Sequence, residues 1–222
     1  ERMLQTIPRV VGERRAESWR RFLIGLWWSG LRIEEALRLT CDQEERLMVD
    51  LTRRRPMLWI PAAMQKSHKN TLLPLAPEFA EFLLATPEAE RTGFVFNPLG
   101  WRLNDHRPIK TQQAIRTICA IGVKAGVKVG TNDKGDPQYA SAHDCRRAFG
   151  DRWSKRVMPA VLKELMRHAS INTTMSFYVT GDAQATAELL WESVQVDTLV
   201  DTCRFPADPP PSEETEKQHN PL

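Results

Sequence analysis

"LMRHASINTTMSFYV", residues 165–179, places a histidine and a tyrosine ten residues apart near the end of a 222-residue chain. The chain contains two tyrosines, seven tryptophans and eight phenylalanines, so Tyr178 is not needed merely to supply aromatic surface. A tyrosine in a core or an interface is the ordinary explanation for such a residue. The alternative is chemical. A phenol with a pKa near ~10 is a poor nucleophile, but cations around the phosphate it attacks and a base that takes its proton make it competent.

The length and composition of the chain predict one sizeable globular domain. Apolar residues make up 41% and charged residues 27% of the sequence. The longest apolar stretch, "FLIGLWWSGL", is too short to span a bilayer. The N-terminal "ERMLQTIPRVVGERRAE" has no apolar signal-peptide core. We therefore expect a cytoplasmic protein. Because the chain begins with Glu, we interpret it as a fragment of a longer protein.

The cysteines do not form a metal or disulfide pattern. Cys41, Cys119, Cys145 and Cys203 are widely spaced and include no CxxC pair. His143 and Cys145 lie two residues apart, but no second pair of metal-ligand type accompanies them. We therefore predict reduced thiols and no metal site.

The positive charge is clustered rather than spread. The net charge is +3, and the C-terminal "PADPPPSEETEKQHNPL" is acidic. The rest of the chain is therefore more basic than the total suggests. Clusters of this kind suit a nucleic acid, because each neutralised phosphate releases condensed counterions. Solvated helix faces carry similar clusters, so charge alone decides little. The clusters are Arg14/Arg15/Arg20/Arg21, Arg53–Arg55, Lys66/His68/Lys69 and Arg146/Arg147/Arg152/Lys155/Arg156.

The apolar pattern predicts an α+β fold, mainly α-helical with a small antiparallel β-sheet. Helical spacing is clearest in 13–29, and "SAHD" has the form of a capping box that starts a helix at Ser141. Helices are predicted over 13–29, 32–39, 77–87, 111–125, 141–156, 159–168, 171–179 and 182–195. Strands are predicted over 46–52 and 57–61, with a returning strand at 72–75 after a turn at 66–70. Residues 130–137 read as a loop.

Several polar side chains in this pattern have candidate chemical roles. His143 and Arg146 are three residues apart on one helix face and can bind two oxygens of one phosphate. Arg32 lies between two helices in an apolar context, and its planar fork matches a phosphate. Lys66, at the hairpin turn, could protonate a leaving oxygen. Each has a structural alternative: a basic helix face, a salt bridge from Arg32 to Glu34 or Glu35, and a solubilising lysine.

Taken in order, these residues resemble the tyrosine recombinase, or phage integrase, family. The motifs are "SGLRIEEALRLT", the lysine of "KSHKNTLLPL", "HDCR", and "LMRHASINTTMSFYV" with its "S-I-x-T-T" stretch. Lys66 stands eight residues before Pro74, in the K-x7-P-L form of the family hairpin. The resemblance covers roughly 12–195. Two departures are visible: Arg147 stands where the family often has a histidine, and Arg167 replaces the usual Gly.

The resemblance implies a tyrosine recombinase catalytic-domain fold and a role for each motif residue. Arg32 and Arg146 would clamp the scissile phosphate, and Tyr178 would attack phosphorus to form a 3′-phosphotyrosyl link. Lys66 would protonate the 5′ oxygen, while His143 and His168 would assist proton transfer. No cofactor is implied. We also predict that basic residues near the motifs contact DNA, namely His68, Lys69, Arg147, Arg152 and Lys155.

The resemblance also sets expectations for organisation and partners. We expect a catalytic domain over 1–200, a disordered acidic Pro-rich tail over 201–222, and no N-terminal core-binding domain in this chain. The partner would be double-stranded DNA, with self-association on DNA into a synaptic tetramer. The helix predicted over 182–195 would contact a neighbour. The target sequence, the task (integration, excision or dimer resolution) and delivery of Tyr178 in cis or in trans stay open.

Three alternatives to a site-specific recombinase or integrase remain at this stage. A type IB topoisomerase-like strand transferase uses a similar residue set and would relax supercoiled DNA without synapsis. A catalytically silent DNA-binding module of the same fold would form no covalent complex. A structural helical interaction domain would show no salt-dependent DNA binding.

Overall fold

A computed structural model describes residues 1–65, 68–100 and 109–178 of the chain. The predicted fold class is confirmed: the described residues are mostly helical and carry small antiparallel sheets. The helices are α1 Arg2–Val11, α2 Glu13–Ser29, α3 Ile33–Arg38, α4 Pro77–Leu84, α5 Thr111–Lys124, α6 Ala142–Ser154, α7 Pro159–Met166 and α8 Ile171–Met175. The strands are β1 Met48–Asp50, β2 Met57–Ile60, β3 Thr71–Pro74, β4 Lys128–Thr131 and β5 Pro137–Tyr139, and short 3₁₀ turns span Ala62–Met64 and Glu88–Glu90.

Helix α2 lies at the centre of the packing because its apolar stripe faces several partners. It packs against α1, α4 and α6. Trp19, Phe22 and Leu26 of this stripe are almost completely buried, and the Phe22 ring lies 5.7 Å from that of Phe96. Burying side chains of this size contributes about 2 kcal/mol each before the entropic cost of ordering them. The core therefore fixes the end of α2, from which the next segment leads into the candidate site.

Gly30 makes the turn from α2 to α3 possible. It caps α2 in the left-handed region at φ 60°, where a Cβ is disfavoured. A Cβ on Gly30 would also lie 2.5 Å from the Phe149 ring of α6. This close approach brings the segment that carries Arg32 against α6, which carries His143 and Arg146.

The predicted hairpin is present as part of a three-stranded antiparallel sheet in the order β1-β2-β3. Leu58 pairs with Val49 on one side and with Leu73 on the other. Gln65 closes the connection between β2 and β3, since its amide donates to Thr71 Oγ1 at 2.7 Å and to the Lys69 carbonyl at 2.6 Å. Lys66 lies outside the described residues.

The structure differs from the sequence-based expectation in three places. The segment expected to be a loop at 130–137 is the turn of a second hairpin, in which β4 pairs with β5. Its strands are short and largely exposed, so they lack the apolar alternation that reveals a strand. Helix α1 was not predicted. Helix α8 ends at Met175, and residues 176–178 form turns instead of extending the helix.

The remaining expectations on organisation fall outside the described residues. The helix expected over 182–195 and the tail over 201–222 both lie there. Among the residues that the structure describes, no helix has the length and apolar character needed to cross a membrane.

Candidate active site

A cleft of about 680 Å³ brings together residues from distant parts of the sequence. Arg32 at the start of α3, His143 and Arg146 on α6, and His168 after α7 all line it. These are four of the six residues predicted to be catalytic. They come from three separate segments, and α6, which bears two of them, packs against both α2 and α7.

Arg146 is the most buried of these residues, with 5% of its surface exposed. Its guanidinium donates hydrogen bonds to the carbonyls of Gly30 and Met166. Gly30 lies two residues before Arg32, and Met166 lies two residues before His168. Arg146 therefore ties the two other motif segments to α6. A guanidinium has five N–H donors, so these two bonds do not exhaust it.

Arg146 has no direct carboxylate partner among the described residues, although the charge of Glu35 acts on it from nearby. Within 1–65, 68–100 and 109–178, no Asp or Glu forms an ion pair with it. Burial, followed by the charges of Arg167 and Arg32, lowers the pKa of Arg146 to about 10. Arg146 therefore stays protonated at neutral pH and presents its charge in a poorly solvated position, where it acts strongly on an anion.

Helix α6 starts as the sequence predicted. The carboxylate of Asp144 accepts hydrogen bonds from the Ser141 backbone N–H at 2.9 Å and from its hydroxyl at 2.7 Å. This capping box is confirmed. It fixes the first turn of α6, which bears His143 at the cleft.

Arg32 is half exposed, and its partner is Glu35. The Arg32 Nη1–Glu35 Oε1 distance is 3.0 Å, and the Arg32 backbone N–H donates to Glu35 Oε2 at 2.8 Å. Glu35 also pairs with Arg167, whose Nη2 lies 2.7 Å from Oε2. Burial opposes ionisation of Glu35, but the charge and hydrogen bond of Arg167, helped by Arg32, lower its pKa below the ordinary value.

His168 is held in one orientation by two neighbours. Its Nδ1 lies 2.9 Å from Oγ1 of the fully buried Thr174, and its ring stacks on Phe177 with centroids 6.1 Å apart. Phe177 fits there because Gly150 of α6 has no side chain: a Cβ would lie 2.4 Å from the Phe177 ring. Burial, followed by the charges of Arg146, Arg32 and Arg167, lowers the pKa of His168, so it is neutral at pH 7.

Tyr178 does not line the cleft. Its hydroxyl donates a hydrogen bond of 2.5 Å to the Val157 carbonyl, in the connection between α6 and α7. Its ring is partly buried against the hydrophobic core, and this burial raises the pKa of the phenol. The turn Ser176–Tyr178 thus places Phe177 on His168 and directs the Tyr178 hydroxyl to a backbone oxygen.

The residues predicted to contact DNA are scattered. His68 and Lys69 are exposed beside the β2–β3 connection, and Lys155 is exposed after α6. Arg147 is exposed and lies 3.6 Å from Asp144. Arg152 is engaged within the fold: it lies 4.0 Å from the Trp27 ring centre and donates to the Trp27 carbonyl at 2.6 Å. The geometry therefore gives Arg152 a packing role, and its contact with DNA stays a prediction.

Three residues of this site were not selected from the sequence. Glu35 entered only as a salt-bridge alternative for Arg32, Arg167 only as a departure from a family pattern, and Thr174 only as part of the "S-I-x-T-T" stretch. The signal was present in that stretch, because Thr173 lines the cleft while Thr174 supports His168. Among the described residues, no group of three or more His, Cys, Asp or Glu side chains is arranged to hold a metal ion.

Comparison with known proteins connects this geometry to a family. The model of the Phage integrase family matches residues 1–184. A search of curated proteins found no match. Solved structures match the fold along most of the chain, at identities too low to show more than the fold.

Three of these structures are recombinases or integrases. The Tn1549 transposon integrase in complex with transposon right end DNA has a TM-score of 0.54, is 17% identical and covers 86% of this chain and 63% of its own. The XerH site-specific recombinase bound to its palindromic difH substrate has a TM-score of 0.53 and is 21% identical. The match covers 86% of this chain and 51% of the XerH chain. XerA recombinase has a TM-score of 0.51 and is 18% identical, and the match covers 86% of this chain and 61% of the XerA chain. The chain thus spans between half and two thirds of the length of these structures.

Proposed function

The chain belongs to the phage integrase family, and on that basis we propose that it is the catalytic part of a site-specific DNA recombinase. In this proposal it cleaves and rejoins double-stranded DNA through a 3′-phosphotyrosyl intermediate. The observation that carries the proposal is the convergence of Arg32, His143, Arg146 and His168 on one cleft. Such a set of cationic and neutral donors suits a phosphodiester, whose two non-bridging oxygens share one negative charge.

The proposed reaction exchanges one phosphate ester for another. The Tyr178 oxygen forms a bond to phosphorus while the bond from phosphorus to the 5′ oxygen breaks. The phenolic proton passes to a base, and the departing 5′ oxygen takes a proton from Lys66. Since the number of phosphate ester bonds does not change, attack by a 5′-hydroxyl reverses the step without an external energy source.

The protonation and positions of the cleft histidines are compatible with this scheme. His168 is neutral at pH 7, and Thr174 occupies its Nδ1, so Nε2 is the nitrogen that serves the cleft. His143 is exposed in the first turn of α6 and lines the same cleft. Met64, which lines the cleft, stands two residues before Lys66. These positions support His168 and His143 as proton-transfer groups, and the role of Lys66 as the donor to the leaving oxygen rests on the family motif.

Tyr178 has to move in this proposal. Its hydroxyl is bonded to the Val157 carbonyl and has a raised pKa, so it is neither placed nor ionised for attack. Only a short turn links it to α8, and one hydrogen bond of this kind contributes about 1 kcal/mol. DNA binding would therefore have to offset the loss of this hydrogen bond and of the ring packing to redirect Tyr178, either toward its own cleft or toward that of a neighbouring copy.

The partners follow from the same proposal. We infer double-stranded DNA as substrate and self-association on DNA into a synaptic tetramer. A cytoplasmic location fits an enzyme that acts on DNA. His68, Lys69, Arg147 and Lys155 are exposed cations available to contact the DNA backbone, each adding to the salt dependence of binding.

The test is covalent trapping on nicked duplexes. The protein first selects its binding sequence from a random pool of duplexes. Nicked versions of that sequence then trap the cleaved state, because the short fragment that bears the 5′-hydroxyl diffuses away and cannot reverse the reaction. The full gene product that contains this chain should give a covalent band on a denaturing gel. Tyr178→Phe should abolish the band, whereas Tyr139→Phe, which removes the other tyrosine, should retain it. A wild-type protein that binds the duplex without forming a band would be a catalytically silent DNA-binding module.

A further inference from the structure

Arg167 adopts a backbone conformation that its side chain disfavours. It ends α7 in the left-handed region, with φ 51° and ψ 47°. Glycine takes this conformation without cost, whereas a residue with a Cβ is strained there. Among the described residues, His68 is the only other non-glycine residue with positive φ. Backbone hydrogen bonds from the Arg167 N–H to the Glu164 carbonyl and from the His168 N–H to the Lys163 carbonyl close this end of α7, and the contacts of the Arg167 side chain add to them.

The side chain of Arg167 is held between two elements. It is 13% exposed, and its Nη2 lies 2.7 Å from Glu35 Oε2. Its Nη1 donates to the Leu165 carbonyl at 3.1 Å. Glu35 stands on α3, whereas Arg167 immediately precedes His168. The ion pair therefore connects the loop that bears His168 to the helix that follows Arg32.

The ion pair also changes the charge balance around Arg32. Glu35 bonds both the side chain and the backbone N–H of Arg32. With that carboxylate as its only partner, Arg32 would form a neutral pair. Because Glu35 is shared with Arg167, the group of three carries a net charge of +1. A site of net positive charge binds a phosphate more strongly than a neutral pair does.

We propose that Arg167 is a positioning residue of the phosphate site: it holds Glu35, and thereby orients Arg32 and His168 and leaves this corner of the cleft with a net positive charge. The cleavage role rests on the proposed function, whereas the effect on His168 does not depend on it. The same guanidinium contributes to lowering the pKa of His168, as expected for a cation fixed beside it.

The first experiment compares Arg167→Gly, Arg167→Lys and the control Arg9→Ala. Glycine relieves the backbone strain while it removes the ion pair, so we expect the melting temperature to change by less than about 3 °C. Single-turnover cleavage at saturating DNA should fall by about 10- to 100-fold. Lysine should restore part of the rate, because it keeps the charge but loses the fork. Arg9, an exposed cation in the last turn of α1 that does not line the cleft, reports the effect of losing one surface charge, which should be within about twofold.

The second experiment needs no catalysis. The His168 imidazole is titrated by NMR in the free protein, with His168→Gln to assign its resonances. The groups that act on this ring or line the same cleft are Arg146 on α6, Arg32 and Glu35 at the start of α3, Arg167 beside it, His143 in the first turn of α6, and Thr174 and Phe177 in and after α8. In Arg167→Gly the His168 pKa should rise toward its ordinary value of 6.5. The acidic limb of the cleavage–pH profile should move to higher pH with it.

The outcomes separate this proposal from the proposed function. A wild-type protein that forms no covalent complex, together with a His168 pKa that rises in Arg167→Gly, would remove the recombinase function and keep the positioning role. An Arg167→Gly protein with an unchanged His168 titration would overturn the inference, whatever its cleavage rate. A lower cleavage rate accompanied by a lower melting temperature, without a change in the His168 titration, would mean that Arg167 forms only a structural salt bridge.

Discussion

The cationic cleft and the turn that bears Tyr178 are held by very different means. Arg146, at the centre of the cleft, is buried and bonded to the carbonyls of Gly30 and Met166. Tyr178 follows a five-residue helix and is bonded by its hydroxyl to the Val157 carbonyl. The proposed phosphate-binding half of the site is therefore anchored in the core through Arg146, whereas the proposed nucleophile lies outside the cleft on a turn held by ring packing and one side-chain hydrogen bond.

In the proposed function, the difference separates two tasks of a phosphotransfer site. Stabilising charge works best when the donors are fixed before the reaction, because no reorganisation is then required. A nucleophile held away from the cleft cannot attack until something moves it. In the proposed function, this arrangement makes cleavage depend on DNA binding or on a neighbouring copy. Four substitutions can break or sharpen the contrast.

Arg146→Ala should have the largest effect. It leaves two buried carbonyls without a donor and opens a cavity, which should cost about 3 kcal/mol of unfolding free energy. It should also abolish covalent trapping. Denaturant unfolding gives the first quantity, and Arg147→Ala, which removes the exposed neighbour on α6, is the matched control and should change stability by less than about 0.5 kcal/mol. Equal effects of the two substitutions would contradict a structural role for Arg146.

Gly150→Ala should have the second-largest effect, and it should lower the free energy of unfolding although helix propensity alone would raise it. Alanine is normally favoured over glycine inside a helix by about 1 kcal/mol. Here its Cβ would lie 2.4 Å from the Phe177 ring, so we expect a net loss of about 1–3 kcal/mol. Displacing Phe177 should also disturb His168, visible as shifted imidazole resonances. A variant more stable than the wild type would mean that the turn at 176–178 can move away from the added Cβ without a loss of stability.

Glu35→Gln should have a smaller effect that depends on pH. The pKa of Glu35 is lowered in the folded protein, so the ionised carboxylate stabilises the fold above its ordinary pKa of 4.5. This contribution is lost as the pH falls through the lowered folded value. At pH 7 the variant should be less stable by about 1–2 kcal/mol. The gap should close below pH 4.5 in unfolding curves measured across pH, and a gap that persists at low pH would argue against the ion pairs as its source.

Tyr178→Phe should have the smallest effect on stability. The substitution keeps the ring packed and removes one hydrogen bond, which should cost no more than about 1 kcal/mol in denaturant unfolding. Covalent trapping should nevertheless disappear. A loss of several kcal/mol would show that the Tyr178 segment is as firmly built into the fold as Arg146, and the contrast between the two regions would fail.

Local chemistry explains what the sequence alone could predict. The capping box of Ser141 and Asp144, the helix over 13–29 and the hairpin that returns at Thr71 depend on neighbours close in sequence. The second hairpin was missed because its exposed strands carry no apolar alternation. The bonds of Arg146 to Gly30 and Met166 and of Arg167 to Glu35 span up to 132 residues, so no local pattern encodes them. Nor could the pattern reveal that the Tyr178 hydroxyl is directed to Val157.

The most direct test of the central claim is to identify the residue that carries DNA. Wild-type protein trapped on a nicked duplex is treated with nuclease and trypsin, and the nucleotide-bearing peptide is sequenced by mass spectrometry. Cleavage after Arg167 and after Arg204 releases a peptide whose one tyrosine is Tyr178. We expect a nucleotide phosphate on Tyr178. An adduct on any other residue would contradict the assignment of the nucleophile, and the absence of an adduct from protein that binds the duplex would contradict the chemistry itself.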